Sequence, residues 1–241
     1  MTNIFYDKND AKRIVRAIEK SITDDVPQFI REHPMETLNC IKMIRSDFIN
    51  ENLKNLVVRD GMDIVKFSRY SWRGCILVDR TNKITYTITT AQNLKSIPRK
   101  QRQRPHFLQT ILGIQNSRYH GKCEQMTLFP MSQFDTDTLE DDYRKIVDGA
   151  IDPEEGFVHY IITYEYERNE LREVNIEFMD RNFYVVDEAS LNEFMKPDYA
   201  QLTETDLDTA EVAVPATESP RRLVSLKTNA LVQLKEAEKQ A

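Results

Sequence analysis

Asp79 is the one acidic residue between positions 64 and 123, and Lys83 follows it across a turn-forming run. Glu165 and Glu177 lie in strand-like segments further along. Together they have the donor types of a metal-dependent nuclease: carboxylates to hold Mg2+ or Mn2+, and a lysine beside the attacking water. The run Asp79-Arg80-Thr81-Asn82-Lys83 also reads as a hairpin turn, in which an aspartate bonds its own backbone. Glu165, Glu167, Glu173 and Glu177 alternate with apolar residues, as the solvent-facing positions of a half-buried sheet do. No cofactor is expected outside the nuclease reading. The histidines His33, His106, His120 and His159 have no metal-finger spacing. His106 stands among cations, which suits a phosphate contact better than a metal. His159 follows strand alternation and reads as structural. Cys40, Cys75 and Cys123 are widely spaced with no C-x-x-C, so they read as reduced thiols, Cys75 as a small core residue. No G-x-S-x-G, H-E-x-x-H or P-loop is present.

Charge offers a second chemistry. The stretch PRKQRQRPHF, residues 98–107, packs Arg99, Lys100, Arg102 and Arg104 between two prolines. The whole chain has a net charge of −6, but the charge is segregated. Residues 1–63 carry −1, residues 64–123 carry +11, residues 124–212 carry −18 and residues 213–241 carry +2. Three readings follow: a positive face that meets an outside polyanion such as nucleic acid, a basic segment paired with the chain's own acidic half or a partner's, or a solvated loop. Aromatics interleave with the cations: Phe67, Tyr70, Trp72, Tyr86, Phe107 and Tyr119 beside Lys66, Arg69, Arg73, Arg80 and Arg118. Exposed rings beside cations can stack bases. The candidate nucleic-acid residues are Arg69, Tyr70, Arg73, Lys95, Arg99, Lys100, Arg102, Arg104, His106 and Arg118.

The elements that must position these residues are readable in outline. Ile14, Val15, Ile18 and Ile22 have helical spacing, with Asp10 as a cap. Pro27 is expected to divide this stretch into two helices, with Asp24 or Asp25 capping the second. Leu38, Ile41, Ile44, Phe48, Leu53 and Leu56 mark another helix, and Asp60-Gly61 a turn. SWRGCILVDRTNKITYTITT, residues 71–90, reads as a β-hairpin, with SRYSWR leading into its first strand. AQNLKSI and PHFLQTILGIQN read as short helices on either side of the basic loop, with Pro105 in the first turn of the second. A connection of that kind runs over the surface. Residues 131–142 read as an acidic loop and YRKIVDGA as the end of a helix. GFVHYIITYEYERNELREVNIEFMDRNFYVV gives three strands, and EASLNEFM a capped helix. Residues 200–220 read as a flexible acidic linker. Residues 221–241 carry Leu223, Leu226, Ala230, Leu234 and Ala237 on one stripe, an amphipathic helix that docks on its own domain or serves a partner.

The series IVRAIEKSITDDVPQFI, SWRGCILVDRTNKITYTI, NLKSI and HFLQTILGIQN resembles an uncharacterised family of bacterial and phage-borne proteins of unknown function, over roughly residues 10–200. The resemblance implies a mobile-element or prophage setting and brings no reaction and no site residues. The fold expected is α+β: N-terminal helices, a β-hairpin, short helices and an antiparallel sheet in one domain, residues 1–199 (basic 64–123, acidic 124–199), with a separate C-terminal amphipathic helix. No apolar run spans a membrane, and no secretory signal opens the chain, so a cytoplasmic protein is expected. The function expected is a non-enzymatic accessory or regulatory protein that engages nucleic acid, or a nucleic-acid-handling protein, through the basic loop. The alternatives are the Asp79 nuclease and a protein–protein module that uses the acidic surface and residues 221–241, through which a homo-oligomer could also form.

Overall fold

A computed structural model describes residues 4–69, 72–122 and 131–196. Tyr70, Cys123, the linker at 200–220 and the C-terminal helix at 221–241 lie outside the described residues. The fold is α+β: helices and a six-stranded, mostly antiparallel sheet. Helix α1 (Lys8–Lys20) begins at Asp7, whose carboxylate accepts from the amides of Asn9 and Asp10. The expected cap, Asp10, is buried in the first turn and receives two hydrogen bonds from Arg59, at 3.0 and 2.7 Å. Pro27 does not break the chain direction. A single widened turn, Ser21–Asp25, carries α1 into α2 (Val26–Glu32), with Asp25 itself helical. A widened turn moves aside the carbonyl that a proline ring would strike, so the helix continues. Asp25 accepts from Asn52 on α3 (Ile41–Leu56) rather than capping α2.

The sheet order is β1 (Met62–Arg69), β2 (Trp72–Asp79), β3 (Ile84–Thr90), β4 (Val158–Glu167), β5 (Glu170–Met179) and β6 (Val185–Ser190). Every neighbouring pair is antiparallel except β3 and β4, which are parallel and joined through α4 (Ala91–Ser96), α5 (Phe107–Gln115) and α6 (Thr136–Val147). The expected hairpin and the three later strands thus form one sheet. Residues 62–69 are a strand, so Ser68 and Arg69 of SRYSWR close β1 and pair with Arg73 and Trp72 at the start of β2, rather than leading into a first strand. Thr136–Asp142 of the acidic stretch is already α6, capped by Asp135. The EAS of EASLNEFM is the end of β6, which pairs with β5 and leaves a short 3-10 turn, Asn192–Phe194. Pro105 precedes α5, and His106 is its cap.

Alternation builds three layers. On one face of the sheet Leu77, Tyr86, Tyr160, Ile162, Tyr164 and Ile176 pack under Ile14, Ile18, Ile49 and Leu53 of α1 and α3. On the other face Ile76, Val78 and Ile161 pack under Leu108, Ile111 and Leu112 of α5 and Tyr143 of α6. Burial of these faces, at roughly 25 cal/mol per Å2 of apolar area, is the main force holding helices to sheet. No described helix is long and apolar enough to cross a membrane.

Candidate nucleic-acid interface

The pairing of β2 with β3 covers only Leu77–Asp79 and Tyr86–Ile84. Both strands continue past it, to Trp72 in one and Thr90 in the other, without pairing to each other. The sheet opens there, and a cleft of about 1390 Å3 lies in the opening. Its floor is the free edge of β3 and the facing residues of β2, including Gly74 and Cys75. Helix α3 contributes Lys42 and Arg45 on one side. The basic loop contributes Lys100, Arg102, Arg104 and His106 on the other. Glu165, at the end of β4, is an acidic residue of the wall.

Two guanidinium groups in this wall are incompletely satisfied. Arg45 is only 8% exposed. It donates from one terminal nitrogen to Tyr166 Oη at 2.6 Å and lies over that ring at 3.9 Å, while its Nε is buried with no partner. Arg102 is half-buried, and its Nε is also buried without a partner. A buried donor left without an acceptor costs about 1–3 kcal/mol, more when charged.

The basic loop is held in place by neutral contacts. Ser132 accepts from the backbone amide of Arg102 at 2.9 Å and donates to Gln101 at 3.0 Å, and its carbonyl accepts from Gln109 at 2.6 Å. Arg69 bonds the carbonyl of Pro105 and pairs with Asp142, which also accepts from Thr110. Arg69 therefore fastens the β1–β2 hairpin to the loop and to α6, and its charge is matched within the chain. Among the described residues Arg99, Lys100 and Arg102 make no ion pair. The acidic half neutralises Arg69; Arg99 and Lys100 are exposed and Arg102 is half-buried.

His106 caps α5 by accepting from the Leu108 amide at Nδ1, which places the proton of the neutral ring on Nε2. Burial, then the nearby Arg102, Arg69 and Lys100, push its pKa down to about 3. It is neutral at ordinary pH, and a donor of one hydrogen bond rather than a cation. Beside it lies a run of rings: His106–Phe107 at 4.5 Å, Phe107–Trp72 at 5.2 Å and Trp72–Phe67 at 5.5 Å. Gly74 permits this packing, because a Cβ there would come within 2.6 Å of both Phe67 and Trp72. Cys75 borders the cleft with its thiol pKa pushed up by burial, so it is a poor nucleophile.

The remaining candidates lie elsewhere. Arg73, Lys95 and Arg99 are exposed but outside the cleft wall. Arg118, after α5, donates to Tyr119 Oη at 3.0 Å. Asp79 is 3% exposed and accepts from the amides of Thr81 and Asn82 and from the Asn82 side chain. That is the turn reading. Lys83 donates to the Glu155 carbonyl. Asp79 ends β2 beside Ile84, whereas Glu165 is level with residues beyond Thr90, at the other end of the sheet. Glu177 bonds Thr163, and burial raises its pKa. Asp79, Lys83, Glu165 and Glu177 are not brought together, and among the described residues no three His, Cys, Asp or Glu side chains are grouped to hold a metal. Sequence reasoning passed over Lys42 and Arg45. They stand three apart on one helical face, but in a charge-balanced segment that gave no signal.

The chain belongs to a family of unknown function (DUF5986), whose model matches residues 4–240. No curated protein and no solved structure matches it.

Proposed function

We propose that this protein is a non-enzymatic accessory or regulatory protein that binds the phosphate backbone of nucleic acid in the cleft between α3, the opened sheet and the basic loop. The observation that carries this reading is the concentration of cations lining one cleft, Lys42 and Arg45 from α3 and Lys100 and Arg102 from the basic loop, none of them in an ion pair among the described residues. Guanidinium groups suit phosphate because their planar donors match its oxygens. The cleft volume exceeds the roughly 300–1,000 Å3 of small-molecule sites, which favours a length of polymer over a single small anion. Phosphate contact of this kind requires no metal or cofactor. The setting implied by the sequence resemblance is a phage or mobile element, acting in the bacterial cytoplasm.

The test is a titration of labelled oligonucleotides at several salt concentrations. Binding should weaken steeply with salt, and the Arg45→Met and Arg102→Gln variants should each lower affinity and the salt slope. Absence of binding at low salt, or full affinity in both variants, would overturn the proposal.

A further inference from the structure

We infer that the nucleic acid taken by this cleft is single-stranded, with unpaired bases lying on the Trp72–Phe107 rings and against the open edge of β3. The inference rests on the phosphate-binding reading above and adds the class of polymer. Three features behind the cation rim point to bases, and in a duplex the base faces are stacked away from any wall.

The first is the ring shelf. Trp72 is 39% exposed and borders the cleft beside Phe107 and His106. Its position is fixed by Phe67 and by the absence of a side chain at Gly74. A fixed, half-open indole next to cations is a stacking platform that tolerates any base. The second is the strand edge. The opposite edge of β3 is paired with β4 along all of Ile84–Thr90, whereas the edge facing the cleft has a strand partner only over Ile84–Tyr86. The backbone donors and acceptors of Thr87–Thr90 on that side are available to a ligand that carries both, as a base edge does. The third is a pair of uncommitted amides. Asn50 and Gln92 border the cleft, and among the described residues their side chains hold no hydrogen bond. Each presents a donor and an acceptor together, the pairing that reads base edges.

The test compares a 12-nucleotide single strand, as DNA and as RNA, with the matching 12-base-pair duplex and with polyglutamate. Trp72, the protein's only tryptophan, reports contact directly through its fluorescence. The single strand is expected to bind at least tenfold tighter than the duplex and to quench Trp72. Trp72→Ala should weaken single-strand binding roughly 5- to 150-fold. Trp72→Phe keeps an aromatic face and should recover most of that loss, which separates stacking from misfolding. Duplex binding as tight as single-strand binding, or single-strand affinity indifferent to Trp72→Ala, overturns this inference and leaves the phosphate reading standing. Polyglutamate binding with no oligonucleotide binding overturns both and assigns the cleft to an acidic polypeptide.

Discussion

Two buried polar regions of this protein meet at Thr87, and they are built oppositely. On one side is the layer under α5. Thr87 donates to His159 Nε2, His159 Nδ1 to Thr85, Thr85 to Gln115, and Gln115 to Tyr143, at 2.9, 2.7, 2.5 and 2.8 Å. Asn116 bonds the carbonyls of His159 and Met179 and accepts from the His159 amide. On the other side is the cleft, where Arg45 and Arg102 keep buried nitrogens with no acceptor. A closed network of this kind holds the fold, because every member would be costly to strand. An open one leaves charged donors unmatched by the chain itself. The proposed phosphate-binding reading places the ligand on the unmatched side, where the cations are densest.

The comparison can be broken or sharpened by measurement. The largest effect is expected at Asn116. Asn116→Ala strands two carbonyls and an amide in the core, and should cost roughly 3–5 kcal/mol in urea unfolding. A smaller loss would mean that the layer is less essential than its bonding suggests.

Acid comes next. His106 and His159 both have pKa values pushed down to about 3, His159 by burial alone and His106 chiefly so. The unfolded chain binds protons on them near pH 6.5, and the folded chain does not. Their contribution is therefore full above pH 6.5 and is lost as pH falls toward 3. Below about pH 5.5, stability should drop by about 1.4 kcal/mol per pH unit for each histidine, and by about half that at pH 6.5. His106→Asn keeps a good helix cap and should roughly halve that slope. An unchanged slope would show that His106 already takes a proton in the folded state.

Asp79→Ala should cost about 1–2 kcal/mol through loss of the turn's hydrogen bonds, with no metal-linked change. Stabilisation of the wild type by added Mg2+, absent in the variant, would revive the metal reading. The smallest effect on stability is expected on the open side. Arg45→Met removes a stranded donor but also the hydrogen bond and the guanidinium–ring contact to Tyr166, so gain and loss should largely offset and stability should shift by less than about 1 kcal/mol. The same variant should weaken oligonucleotide binding about tenfold and lower the salt slope by about one. A large loss of stability would move Arg45 to the structural side of the comparison.

Where a feature was set by neighbours in sequence, it could be read from the chain. The helical spacing of Ile14, Val15 and Ile18, the alternation of Ile84, Tyr86 and Ile88, and the Asp79 turn all depend on residues within a turn or a strand of one another. Pro27 misled because one widened turn absorbs it. Residues 62–69 were missed as a strand because their partner, β2, supplies half of the evidence for them. The basic loop stood out as a candidate through its composition, and five of the ten candidate residues border the cleft. Arg45 did not, because its burial and its one hydrogen bond depend on Tyr166, 121 residues away in the chain.

The sequence by itself determined the elements, the α+β class and the separation of a basic middle from an acidic half, since local periodicity and composition are properties of the chain alone. Only the tertiary structure decided which cations are already matched. Arg69 meets Asp142, while Lys100 and Arg102 meet no carboxylate among the described residues. It also decided that the sheet opens beside them. Pairing between charges and between strand edges depends on distances in space that one-dimensional order does not fix.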